Sequence, residues 1–191
     1  MADPHRVLAI PGSLRSESLN RKLLSEASRL AQGIDGIEID LFDLRGIPLF
    51  DQDVEEQGDP ERVVAFKEAI RDSDAVLFGC PEYNWSITGV LKNAIDWASR
   101  PPGKSHLMGK PVALVGATPG RGGTLRSQQT LRQSLAALRC WVLPGHEIGL
   151  LRAHTLFDDA GRLTDDNTVE ALQKMLAALA RWIEKVRPID T

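Results

Sequence analysis

The sequence is poor in cysteine: 191 residues hold two, Cys80 and Cys140. That number and spacing match neither a disulfide framework nor a zinc site. Each cysteine follows or begins an apolar run, the usual setting of a buried free thiol. Aromatic residues make up 5%, too few for the base-stacking platforms of single-strand binders. The net charge of −3 gives no reason to expect a polyanion partner, so no nucleic acid is expected. No apolar run approaches the ~20 residues needed to span a bilayer, and no membrane insertion is expected. Met1 to Arg6 lacks the charged-then-apolar layout of a secretory leader. A soluble, cytoplasmic protein is the expectation. The four histidines, His5, His106, His146 and His154, are scattered. They lack the helical pair spacing of a metalloprotease. The acidic cluster Asp51, Asp53, Glu55 and Glu56 reads as solvated surface, because nothing in it fixes calcium geometry. No metal is expected.

What the chain does have is alternation. Val7-Leu8-Ala9-Ile10, Ala75 to Gly79, Pro111 to Gly116 and Cys140 to Leu143 are short apolar runs that read as buried strands. Ile37, Ile39 and Leu41 alternate with Glu38 and Asp40, which reads as a strand near a sheet edge. Between them, Leu19 to Ala31, Val63 to Ile70, Val90 to Ala98, Leu125 to Leu138 and Thr168 to Val186 carry apolar residues at helical spacing. Phe42 to Pro60 and Pro144 to Asn167 read as irregular connections. The length fits a single domain over residues 1–191. Strand and helix in turn predict a parallel sheet covered on both faces. Five strands of this kind suit the doubly wound 2-1-3-4-5 order, with a ligand crevice at the first and third strands.

Three loops at strand ends have unusual chemistry. Gly12-Ser13-Leu14-Arg15-Ser16-Glu17-Ser18-Leu19-Asn20 joins the first strand to the first helix. A helix N-terminus favours an anion. Ser13, Ser16 and Ser18 add hydroxyls, Asn20 an amide and Arg15 a permanent charge, a set that suits one terminal phosphate. The loop is neither a P-loop nor a dinucleotide fingerprint, since the further glycines and the Lys-Ser pair are missing. Pro81-Glu82-Tyr83-Asn84-Trp85-Ser86 follows the third strand and suits a flat ring with polar edges. Thr118 to Gly123 follows the fourth, and Gly120 and Gly122 permit close approach of the main chain. A phosphate at one end and a planar heteroaromatic at the other describe a flavin mononucleotide (FMN).

These motifs, Gly12-Ser13-Leu14-Arg15-x-x-Ser18-x-Asn20 and Pro81-Glu82-Tyr83-Asn84-x-Ser86-x-x-Gly89-x-Leu91-Lys92-Asn93-Ala94-Ile95-Asp96-Trp97, resemble the NADPH-dependent FMN reductase family. Within it they are most similar to bacterial chromate and quinone reductases. The resemblance implies a flavodoxin-like three-layer fold and bound FMN, with NADPH or NADH as cosubstrate. It implies two-electron reduction of small oxidants: quinones, chromate, azo dyes or flavins. By position, Ser13, Arg15, Ser18 and Asn20 would hold the phosphate. Pro81, Glu82, Tyr83, Asn84 and Ser86 would line the rings, and Thr118, Gly120 and Gly122 would close the pyrimidine edge. The family implies a homodimer or homotetramer, with Arg126 and Glu147 where some relatives pair charges across subunits. No side chain is expected to be catalytic in its own right. Trp85 and Trp97 are expected beside the ring or at an interface, and Trp182 in the core. Arg100, Lys104 and Arg121 are candidates for a 2′-phosphate of the cosubstrate.

Overall fold

The structure, a computed structural model, describes residues 3–186. In chain order the elements are β1 (His5–Pro11), α1 (Leu19–Ala31), β2 (Ile37–Leu41), α2 (Gln52–Gln57), α3 (Glu61–Arg71), β3 (Ala75–Gly79) and α4 (Gly89–Ala98). Then come β4 (Pro111–Ala117), α5 (Leu125–Ala137), β5 (Trp141–Val142), β6 (Ile148–Leu150), a 3-10 turn (Ala153–Thr155) and α6 (Asp166–Lys185). The strands run in the order β2-β1-β3-β4-β5, with β6 also paired to β4. Every pairing is parallel.

Burial explains why these segments are strands. β3 and β4 are buried at every position, as strands covered on both faces must be. β2 alternates at its start and faces solvent at its end, as its edge position allows. One layer packs Leu23, Leu24 and Ala27 of α1 with Leu172, Met175, Leu176 and Leu179 of α6 against the sheet. The other packs Phe66 and Ile70 of α3, Leu91 and Ile95 of α4, and Leu131 and Leu135 of α5. Each of the Leu, Ile, Met and Phe side chains contributes roughly 1.5–3 kcal/mol by leaving water. The fold is therefore the flavodoxin-like sandwich expected.

The differences from expectation are local. The sheet has six strands, not five. The place beside β4 is filled by two short strands, because Pro144 and left-handed Gly145, φ 75°, interrupt the run. Within Phe42 to Pro60 lies α2, capped by the Asp51 carboxylate, which accepts from the Asp53 N–H at 2.9 Å. None of its residues is buried, so no apolar period could reveal it. Its Glu55 accepts from Arg100 Nε at 2.8 Å, and two members of the acidic cluster thus have structural partners. Trp97 is a core residue rather than a ring-side one. It is fully buried, donates from Nε1 to the Pro48 carbonyl at 2.9 Å and meets Phe50 edge-on at 5.0 Å. Trp182 is only partly buried and donates to the Trp141 carbonyl.

Candidate active site

Because the strands are parallel, the turns after β1, β3 and β4 emerge at one end of the sheet. Short bonds tie them into one body. The Gly12 N–H donates to the Gly79 carbonyl at 2.8 Å, and the Cys80 N–H to the Val115 carbonyl at 2.8 Å. Thr88 Oγ1 donates to the Gly12 carbonyl at 2.7 Å. A Cβ on Gly12 would stand 2.9 Å from Pro81 Cδ and 3.0 Å from the Gly79 carbonyl oxygen, so glycine is what lets the first and third turns touch. The β4 turn is held from outside: Thr118 N–H bonds the Leu150 carbonyl, and the Arg152 and Ala153 N–H groups bond the Gly120 and Thr118 carbonyls, at 2.9–3.0 Å.

The first turn offers a cationic cradle. Ser18 caps α1, accepting from the Arg21 N–H at 3.3 Å. The N–H groups of Leu19 and Asn20 come too early in the helix to be satisfied by it. Arg21 is paired with Asp43 at 2.8 Å and Lys22 with Glu17 at 2.8 Å. The Arg15 guanidinium has no ion pair or hydrogen bond among the described residues; only its main-chain N–H bonds, to Ser13 Oγ at 3.3 Å. Ser13, Arg15, Ser18 and Asn20 line one cavity of about 50 Å³ with Pro81, Glu82, Tyr83 and Thr118. A shallow groove of about 330 Å³ continues from Ser13, Arg15 and Tyr83 towards Leu14, Thr88 and Val90. A tight basic end opening beside a flatter apolar surface fits a phosphate joined to a ring system.

Asn20 also has a structural part that the sequence did not suggest. Its amide is buried and spans to β4: Nδ2 donates to the Ala117 carbonyl at 2.9 Å, and Oδ1 accepts the Ala117 N–H at 3.0 Å. It fastens the first turn to the fourth strand with the oxygen and one N–H of the amide, and leaves the second Nδ2 hydrogen on the side chain that lines the cavity. This partner lies 97 residues away, beyond any local reading of the sequence.

The turn after β3 is a two-residue reversal. Tyr83 and Ser86 exchange main-chain bonds at 3.1 and 3.0 Å. Asn84 and Trp85 between them both have positive φ, 51° and 65°. Tyr83 is half exposed and Trp85 largely so. Glu82 is mostly covered, and its carboxylate is fully engaged: Oε2 accepts the Arg126 and Ser127 N–H groups at 3.1 and 3.3 Å, and Oε1 accepts from Arg126 Nη1 at 3.1 Å. Thr124, the residue at the start of α5, supplies no side-chain cap. Glu82 therefore caps α5 from the neighbouring turn, where a negative charge is favoured. Arg126 thus pairs within its own chain, and its guanidinium also lies over the Trp85 ring at 4.6 Å.

Two of the proposed cosubstrate cations fall elsewhere. Arg100 and Lys104 follow the far end of α4, where Arg100 is taken by Glu55 at 2.8 Å. Larger hollows of about 490 and 440 Å³ lie there too, around Arg139 and Lys110. They bring together no strand-end turns. Arg121 remains on the β4 turn, exposed. The sequence signal also missed Thr124. It is buried with φ 58° against Gly116, where a Cβ would come within 1.8 Å of its hydroxyl.

Comparison with known proteins agrees with this geometry. Residues 5–155 match the family described as NADPH-dependent FMN reductase. The chain is 48% identical over 187 residues to an NAD(P)H-dependent FMN reductase of Pseudomonas aeruginosa, covering 98% of this chain and 100% of that one. It is 41% identical over 191 residues to a quinone reductase of Pseudomonas putida, covering 99% and 100%. Among solved structures, the flavoenzyme NAD(P)H:(acceptor) oxidoreductase FerB of Paracoccus denitrificans superposes with a TM-score of 0.87 at 36% identity, covering 95% of this chain and 98% of that one. The chain belongs to the NADPH-dependent FMN reductase family and is an oxidoreductase that uses FMN and a reduced nicotinamide nucleotide.

Proposed function

We propose that the chain reduces quinones with NAD(P)H, with FMN held across its three strand-end turns. The observation that carries the reading is that Arg15, exposed and without an ion pair among the described residues, lines both the small cavity and the groove that meet at Tyr83. The name of the Pseudomonas putida relative, quinone reductase, supports the choice of acceptor. FMN, when bound, supplies the redox chemistry, taking a hydride from the nucleotide and passing two electrons on. The residues bind and orient. Ser13, Arg15 and Ser18 hold the phosphate, with Arg15 offsetting its charge, while Asn20 keeps their turn fixed to β4. Pro81, Glu82, Tyr83, Asn84 and Ser86 present main-chain groups and the Tyr83 ring to the flat end. Thr118, Gly120 and Gly122 border the other edge.

The Glu82 carboxylate is committed to capping α5 and pairing with Arg126, so it is assigned a structural part rather than that of an acid. Protons therefore come from solvent. Chromate, azo dyes and free flavin are further acceptors for a site open enough to admit them. Donor and acceptor occupy the same open face in turn, so initial-rate lines run parallel; intersecting lines refute that ordering. The active form is a cytoplasmic homodimer or homotetramer. The exposure of Tyr83 favours a second reading, in which reduced FMN leaves for a partner monooxygenase; flavin lost on gel filtration marks that case. The test of the main reading is the visible spectrum of the purified protein. Oxidised-flavin bands should bleach anaerobically with NADPH and return with a benzoquinone. A protein that stays colourless after soaking in FMN overturns the reading.

A further inference from the structure

Glu82, Trp85 and Arg126 form a closed set that cofactor chemistry by itself does not require. A two-residue turn with positive φ at both central positions is normally Asn-Gly. Here the second position is Trp85, φ 65°, a bulky residue in a region that disfavours any Cβ. Its ring projects outward and would find little support but for Arg126, whose guanidinium covers it at 4.6 Å. The same guanidinium bonds Glu82, and the Arg126 N–H bonds the other oxygen of that carboxylate. Glu82 stands just before the turn and Trp85 at its second central position, and Arg126 grips both from the first turn of α5. One residue of the β4 side thereby fixes the shape of the β3 side.

We infer that Arg126 is a positioning residue, a latch that holds Pro81 to Ser86 in the shape that receives the flavin rings and so sets how tightly FMN is retained. The inference rests on the FMN reading above. Its action is confined to the ring end, because Arg15 and the serines lie on a different turn. The guanidinium is about half exposed, at 53%. Its loss is therefore expected to cost about fivefold in affinity rather than the more drastic loss of a buried pair.

The test uses the purified full chain, stripped of flavin. FMN and riboflavin are titrated into wild type, Arg126→Ala, Arg126→Lys and Glu82→Gln by quenching of flavin fluorescence. Hydrogen exchange is followed over the whole chain. In Arg126→Ala both ligands should weaken by the same factor, since riboflavin lacks only the phosphate. Exchange should rise at the Tyr83 and Ser86 N–H groups and stay unchanged in the core helices. Glu82→Gln should do likewise. Arg126→Lys should recover part of the loss, because an ammonium keeps the ion pair but not the planar stack. Unchanged affinity in Arg126→Ala overturns the inference. So does weakening that comes with faster exchange throughout, or with a change in oligomeric size, since Arg126 would then act through global stability or across a subunit seam. Failure of the wild type to bind either flavin would sink the FMN reading, and the exchange data would still decide the latch.

Discussion

At the scale of single residues, charge and the space for one atom decide most. Arg15 stands apart from Arg21 and Lys22 because it has no acidic partner among the described residues. A charged hydrogen bond is worth ~1.5–3 kcal/mol. Arg15→Ala should therefore weaken FMN about tenfold or more, as read by equilibrium titration; unchanged affinity removes the phosphate assignment. Gly116 is set by volume instead. A Cβ there would lie 1.8 Å from the Thr124 hydroxyl and 2.9 Å from the Cys80 carbonyl oxygen. Gly116→Ala should lower stability by about 1–3 kcal/mol through overpacking, measured by urea unfolding. Adding Thr124→Gly removes the clashing hydroxyl and relieves the left-handed Thr124, so the double variant should be more stable than the single one. The setting of Arg15, a cation in a serine-rich turn before a helix, was legible in the sequence. Asn20, Glu82 and Arg126 were not, because their partners are 97 and 44 residues distant and only the folded sheet brings them together.

Among the elements, those with a strong apolar period were readable and those without one were not. α1 and α6 bury one clear face each, and β3 and β4 are apolar throughout. α2 buries nothing, and β6 is three residues long; each depends on a neighbour that the local sequence does not contain. The connection leaving β2 shows the same dependence. Asp43 accepts from the Arg45 N–H at 2.9 Å and pairs with Arg21 on α1 at 2.8 Å. Burial works to raise its pKa, but the Arg45 N–H and the Arg21 and Arg45 charges outweigh it, and the carboxyl sits below its ordinary value. A carboxyl depressed in the fold stabilises fully above its unfolded pKa, and that stabilisation fades as pH falls through the lower folded value. Asp43→Asn should cost about 1 kcal/mol near neutrality. The gap from wild type should close below about pH 4, near the unfolded pKa. Thermal melts of both proteins across that range check it; a gap that widens in acid contradicts the assignment.

For the molecule as a whole, the sheet keeps its two thiols out of reach and out of the chemistry. Burial pushes Cys80 up to about 11, with its Ser127 hydrogen bond offsetting this in part and the Glu82 charge adding to it. Burial pushes Cys140 up to about 12, with Lys110 opposing. Both thiols are therefore protonated at working pH, and reactivity needs the thiolate. Iodoacetamide at about pH 8 should leave the folded protein unmodified and label both sites once guanidinium unfolds it, as read by intact mass. Rapid labelling of the native chain would mean that one core face opens. The doubly covered sheet and the convergence of its turns were predictable because parallel order forces both. The internal fastening of those turns was not, since it is made partly by main-chain groups that every residue shares and partly by Thr88, Asn20 and Glu82, whose partners are distant in sequence.

The outer rim beside β4 has one more effect. Where β4 advances three residues from Val112 to Val115, its neighbour advances six, from Val142 to Ile148. The surplus bulges outward at Pro144 and Gly145, and a rim kinked in this way cannot present an unbroken ladder of donors and acceptors to another chain. Copies of this molecule gain no template there for cross-β growth, so a concentrated solution is guarded on that flank by geometry rather than by charge.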